Sequence, residues 1–386
     1  MPLNHIDLKP QLTKFVRLHD NLQTEIKTKL QTALEWLKKC GEEHAGMKER
    51  IRTWAEQIQP TPRCGIPYEE SADSVFPAVK DITEYQLIAS DGSQMVPSRH
   101  DPVPVALFNS SCIHFRPGSG SAPWVQIYSK ILTQDDSIHS ATEISEELVS
   151  LKRDVEELRV LANWEKPAPG QAAAIALLDG PMELFHEPRR IPDFERDFQR
   201  YLELMEKIHK KQNILAGYTD KPRAALIIKM LEIASASENK AIELSGLTDL
   251  ELFSSLLGTG QRSAVYSLLS PSSDNYRGAL ALHFFYLNVG SRKKPSIARV
   301  EIPQWVAADT GSIGLLHQAL LAQCRLMGAR PYPYILHRAH EEALVSREEK
   351  QQLMDKLALM LQLNGVGIFT PSNKQAAKDL EGRRRL

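Results

Sequence analysis

Ile88-Ala89-Ser90-Asp91-Gly92-Ser93 is the stretch on which the fold turns. The apolar run from Tyr85 to Ser90 reads as a short strand that stops at Asp91. Farther along, Ala172 to Leu178 is almost wholly apolar, as a strand buried on both faces should be, and it stops at Asp179-Gly180-Pro181. A single Asp-Gly more often marks a turn than a site. Here the dipeptide closes two apolar strands, and in an α/β sheet ligands gather beyond the carboxyl ends of strands. An acid placed there is held rigidly, and the following glycine lets backbone or substrate come close. Two such acids on neighbouring strands can hold hard divalent cations, which prefer oxygen ligands. A two-metal clamp polarises a phosphodiester, activates water and stabilises the leaving oxygen.

The surroundings set that pair in a mixed sheet. Val103 to Asn109, Cys112 to Phe115 and Trp124 to Ile131 read as strands separated by Pro, Asn and Gly118-Ser119-Gly120, which suggests an antiparallel meander. Residues 142–163 read as a helix capped by Thr142, with Ile144, Leu148, Leu151, Val155, Leu158 and Leu161 on one face. It offers Glu156 and Glu157 as a third carboxylate. Glu157 lies beside the apolar stripe, and either remains open, since charged helix faces are usually solvated. A helix over 191–211, a strand from Asn213 to Gly217 and a helix over 222–236 follow. Strands Ala279 to Val289 and Ile297 to Ile302 come next, then helices near 311–327 and 339–363. The order predicts an α/β fold, a ribonuclease H-like mixed sheet flanked by helices.

Upstream, Phe15, Leu18, Leu22, Ile26, Leu30, Leu34 and Leu37 recur every three or four positions, and Met47, Ile51, Trp54 and Ile58 continue the pattern. Residues 1–60 therefore form an N-terminal helical arm, packed on the body or serving for dimerisation or partner docking. Pro60, Pro62 and Gly65 to Pro67 make 61–83 a linker. The main domain spans 84–370, and 371–386 is a charged tail.

Composition narrows the class. Lys and Arg total 47 against 48 Asp and Glu, so no global basic field advertises nucleic acid, and positive charge for it must be local. No apolar run approaches the roughly 20 residues that span a bilayer, and the first 17 residues lack the apolar stretch of a signal peptide. The four cysteines are scattered, as reduced thiols of a cytoplasmic protein would be. Cys112 and His114 form half a zinc site with no second half.

The residues also carry a resemblance. Asp91-Gly92-Ser93 after its apolar strand resembles the first motif of the NurA nucleases, and Leu177-Leu178-Asp179-Gly180-Pro181 the second. Ala216 to Pro222, Ile297 to Pro303 and Tyr332 to His340 are similar to their later motifs, in family order, over about 84–365. The resemblance implies a ribonuclease H-like fold, a homodimer, and manganese-dependent cleavage of DNA, with magnesium as the alternative metal. The activity it implies is 5′-to-3′ exonuclease and single-strand endonuclease, on single strands and duplex ends, beside a hexameric HerA-type ATPase in DNA end processing. By motif match Asp91 and Asp179 are metal ligands, joined by Glu157 or Glu156. Tyr286 resembles the family's active-site tyrosine and His340 its histidine. A tyrosine can donate to a phosphate oxygen, and a histidine can shuttle a proton. Arg292, Lys293 and Lys294, on the turn after the Tyr286 strand, are the favoured contacts to the DNA backbone, with Lys207, Lys210 and Lys211 as a second cluster and Arg99 and His100 as weaker candidates. The competing reading is a non-catalytic or RNA-directed subunit that regulates a partner ATPase.

Overall fold

The computed structural model describes residues 4–78, 84–97, 105–132, 145–165, 174–184 and 194–365. Thr142, Arg99, His100 and the charged tail lie outside them. The chain divides into two compact units: 1–82 with 216–332, and 83–215 with 333–386.

The first unit opens with α1 (His5–Glu42) and α2 (His44–Gln57). Their inner faces are buried at Ala33, Leu37, Cys40, Met47, Ile51 and Ala55, so this part of the arm packs into its unit. The first turns of α1 leave Leu12, Phe15 and Val16 exposed. Within the stretch read as a linker, β1 (Cys64–Pro67) and β2 (Val75–Phe76) are strands. β7 (Ile214–Asp220), α5 (Leu226–Ala236), α6 (Asp249–Leu256), β8 (Arg262–Ser263), β9 (Tyr266–Leu269), β10 (Leu282–Asn288), β11 (Ile297–Pro303), α7 (Gln304–Ala307) and α8 (Thr310–Leu326) complete the unit. Its strands pair antiparallel in the order β1-β9-β10-β11-β7, with β2 and β8 at the side of β10. β10 and β11 are buried along their whole length.

The second unit carries the meander β3 (Gln86–Met95), β4 (Ala106–Phe115) and β5 (Trp124–Leu132), followed by α3 (Glu146–Asn163), β6 (Ala174–Asp179) and α4 (Phe194–Lys210). α9 (Tyr334–Ala343) and α10 (Arg347–Leu363) belong to it as well. β3, β4 and β5 are antiparallel neighbours, and β6 lies parallel to β3 on its other side. A three-stranded meander, a helix, and a strand returning parallel to the first is the ribonuclease H-like order. Alternate residues face opposite sides of the sheet. Cys112 and Tyr128 face α3, while Ile113 and Val125 face α9.

Several element limits differ from the reading of the sequence. β3 does not stop at Asp91; it runs on to Met95, and Asp91-Gly92 is extended chain rather than a turn. The segments read as separate strands on either side of Ser110 are one strand, β4, because Ser110 and Ser111 are buried within the ladder. α3 starts later than expected, capped by Ser145, whose Oγ accepts from Leu148 N at 3.2 Å. The last helical stretch is two helices. Ser346 caps the second with a reciprocal Glu349 contact, which places His340 inside α9 rather than at a helix start.

Candidate active site

The parallel register of β3 on β6 pairs Ser90 with Leu178 as its last couple. Asp91 and Asp179 are the next residue on each strand, so the two acids stand side by side where β6 ends. Asp91 is largely buried, and Asp179 is exposed at the strand end. Gly180 follows with φ of 103°, a left-handed turn that suits glycine and ends the strand.

Gly92 has a different role. A Cβ built on it would lie 2.6 Å from Glu157 Oε1 and 2.8 Å from Arg153 Cγ. The absent side chain is what admits α3 so close to β3, and it brings the Glu157 carboxylate beside Asp91. Glu157 is 7% exposed. Burial pushes its carboxyl well above the ordinary range; Asp154, Asp91 and Asp179 push the same way, and Arg153 opposes them. Arg153 stands 3.2 Å from Glu157 Oε1 and 2.8 Å from Asp154 Oδ1, and Asp91 is close enough to stabilise its charge. A cavity of about 180 Å³ opens beside these groups, lined by Arg153, Asp154, Glu157, Asp179 and Glu183 among others. Glu156 turns elsewhere: Arg159 Nε donates to its Oε2 at 2.7 Å, and the same guanidinium also binds Oε1.

His340 approaches Asp91 from α9, with Nδ1 2.7 Å from Asp91 Oδ2. The other Asp91 oxygen accepts from Gly92 N at 2.8 Å. Three side chains of the meander hold α9 in place. Ser93 Oγ and Asn109 Nδ2 donate to Ala343 O at 2.5 and 2.9 Å, and Ser111 Oγ donates to Ala339 O at 2.7 Å. The first two satisfy the Ala343 carbonyl, which the helix end would otherwise leave bare. Ser93, the last residue of the stretch Ile88–Ser93, thus helps to position His340.

The structure therefore brings together Asp91, Asp179, Glu157 and His340. Arg153, Asp154 and Glu183, which the sequence reading did not single out, belong to the same neighbourhood. The signal for the first two was spacing: 153, 154 and 157 share one stripe of α3.

Tyr286 lies in the first unit and is fully buried. Its hydroxyl donates to Asp249, and its ring stacks on Phe253 at 4.3 Å. Asp249 accepts from Leu226 N at 2.7 Å and from Ile228 N at 3.0 Å, so it caps α5, which has no side-chain cap of its own. Burial pushes the Asp249 carboxyl up to about 6 although these donors pull it down. Arg292, Lys293 and Lys294 are exposed on the β10–β11 turn, closed by Val289 N donating to Ser296 O at 2.9 Å. Burial raises the Cys112 thiol to about 12, which keeps it protonated.

Among the described residues no three acid, histidine or cysteine side chains are drawn in to metal-ligating distance. The donor chemistry nevertheless fits a hard divalent cation. Three carboxylates converge, one of them buried under mutual repulsion, with a guanidinium as the nearby positive charge. Among the described residues no helix is long and apolar enough to cross a membrane.

Several known structures are similar to this chain. The crystal structure of the NurA nuclease from Sulfolobus solfataricus matches with TM-score 0.47 and 14% identity, over 90% of this chain and 98% of that one. A crystal structure of NurA bound to dAMP and manganese matches with TM-score 0.36 and 13% identity, over 90% and 96%. The catalytic domain of human endonuclease V matches with TM-score 0.33 and 10% identity, over 71% and 84%. No curated protein sequence matches the chain. The NurA domain model matches residues 85–345, well over half of the sequence, and the chain belongs to the NurA domain family.

Proposed function

We propose that this protein is a metal-dependent DNA nuclease whose site is Asp91, Asp179 and Glu157 with His340 beside them. The observation that carries the proposal is that Glu157 of α3 and Asp179 of β6 line one cavity, with Asp91 of β3 close enough that both aspartates act on the Glu157 carboxyl. Family membership supports DNA as substrate and manganese as cofactor, with magnesium as the alternative. It equally supports the finer reading: 5′-to-3′ exonuclease and single-strand endonuclease activity in DNA end processing, by a homodimer working with a HerA-type hexameric ATPase in the cytoplasm.

When bound by these oxygens, a divalent cation would polarise the phosphodiester and lower the pKa of an attacking water. The chain's own residues do the rest. Asp91 accepts the Nδ1 proton of His340, which selects the tautomer with a basic Nε2. His340 is about half exposed, so Nε2 can take a proton from water or return one to a leaving oxygen. Arg153 neutralises part of the acid charge before substrate arrives. Arg292, Lys293 and Lys294 are proposed as contacts to the DNA backbone, which they would hold in position without reading sequence.

The test is cleavage of linear single-stranded DNA by the purified protein with manganese. Asp91→Ala and Asp179→Ala should each abolish it while leaving the circular dichroism spectrum unchanged. Equal activity in the variants would remove the site assignment. A preference for RNA, or an inert wild type that alters a motor's ATP hydrolysis, would favour the competing reading.

A further inference from the structure

A second concavity of the same unit lies farther along α3, between that helix and the outer strand β5. Its volume is about 380 Å³, within the range of roughly 300–1,000 Å³ usual for small-molecule sites. Its lining is aromatic. Trp124 and Tyr128 come from β5, His114 from β4 and Trp164 from the end of α3. Trp124 is 45% exposed, an unusual state for the largest apolar side chain on a strand. The His114 and Trp164 rings meet at a 38° tilt, 5.0 Å between centres, and His114 Nε2 is tied to Gln86 at 2.9 Å, which fixes that wall.

Cations border the groove. The Arg159 guanidinium sits 5.4 Å from the Tyr128 ring centre, its charge shared with Glu156. Lys207 Nζ donates to Asn163 Oδ1 at 2.8 Å, and its charge also acts on Glu165 of the groove wall. Lys211 is 2.7 Å from Glu165. Three cations, Arg159, Lys207 and Lys211, thus border the groove against Glu156 and the wall residue Glu165, a local surplus of one positive charge in a chain with no overall excess. The groove and the acid cluster lie along the same helix. Glu157, Val160 and Trp164 follow one stripe of α3, so the two sites are separated by roughly 10 Å along the helix axis.

We propose that this groove is a base-stacking subsite for a single DNA strand, in which an unpaired base lies against Trp124 while Lys207 and Arg159 face the backbone. Stacking on aromatic rings beside a basic rim is how single strands are held without sequence preference, because every base offers a flat face. A duplex cannot use it, since its bases are already stacked and paired. Gln126, on the groove wall, supplies a side-chain amide for a base edge. The proposal rests on the nuclease reading only for the choice of DNA.

The test is binding of fluorescein-labelled ten-nucleotide oligothymidylate, followed by anisotropy in EDTA so that nothing is cleaved. Trp124→Ala should weaken the dissociation constant by about tenfold and Trp124→Phe by no more than about threefold, since stacking survives the second change. Tyr128→Ala serves as a second variant, read if Trp124→Ala lowers the melting temperature. Unchanged affinity in the alanine variants overturns the proposal. So does a blunt duplex that binds as tightly as the single strand and loses as much affinity with Trp124→Ala. Failure of the groove leaves the Asp91→Ala and Asp179→Ala cleavage results standing, and failure of those leaves the metal-free binding result standing.

Discussion

Nδ1 of His340 lies 2.7 Å from Oδ2 of Asp91, joining the middle of α9 to the middle of β3. The contact orients the ring and frees Nε2. His340→Ala should therefore lower DNA cleavage by about 10²–10⁴, the range of a positioned acid–base group. Because the side chain is about half exposed, stability should change by no more than about 1 kcal/mol. Cleavage rates and urea unfolding of the same preparation check both. Near-wild-type activity would reduce His340 to a support for Asp91.

Glu157 makes the metal-free protein sensitive to pH. Its carboxyl is pushed well above 4.5, first by burial and then by neighbouring acids. An acid with a raised folded-state value stabilises the fold fully below its unfolded value, and that contribution is lost as pH rises through the folded value. The melting temperature in EDTA should thus fall as pH is raised above 4.5. Glu157→Gln should flatten the decline and raise the melting temperature at neutral pH. Calorimetry of both proteins across pH decides it; parallel curves would place the instability elsewhere.

Arg153 holds the position of a counter-cation among Asp91, Asp154 and Glu157. Replacing it by Gln should lower the melting temperature without metal and tighten manganese binding. The expected gain is about tenfold, within what one partly screened charge contact supplies. Isothermal titration calorimetry measures this independently of activity. Weaker binding would mean that Arg153 organises the carboxylates rather than competing for them.

Tyr286→Phe separates a core role from a catalytic one. The change removes the hydroxyl that donates to buried Asp249, and Asp249 caps α5. The expected cost is about 1–3 kcal/mol of unfolding free energy, the penalty of a buried acceptor that loses its donor. Cleavage measured well below the melting temperature should stay within about threefold of wild type if the tyrosine only supports the interior. A loss of hundredfold or more with little change in stability would assign it to the chemistry.

The acid pair was legible in the sequence because apolar runs followed by Asp-Gly are local features. The ribonuclease H-like order followed from the same runs. What lies between them was not legible. Asp-Gly is a strong turn signal, and nothing near Gly92 in the chain shows that its missing side chain makes room for Glu157, 65 positions later. The choice between Glu156 and Glu157 depends on α3's rotation against the sheet, and a charge-rich helix leaves that rotation ambiguous. β10 is buried on both faces, so alternation could not say which way the Tyr286 hydroxyl points. Its partner Asp249 sits between the helix read over 222–236 and the strand read from Ala279, where the sequence reading placed no element.

The unequal lengths of β3 and β6 carry a consequence for how this protein can vary. β6 ends at Asp179, while β3 continues for four residues past Asp91. The two acids are level only because five consecutive couples, Gln86 with Ala174 through Ser90 with Leu178, stay in step. Exchanging one apolar residue for another within those couples leaves the alignment intact. Inserting or deleting a single residue there moves one acid along its strand and turns its side chain to the other side of the sheet. Lineages of this chain should therefore drift freely in the identity of these strand residues, while insertions and deletions collect outside 86–91 and 174–179.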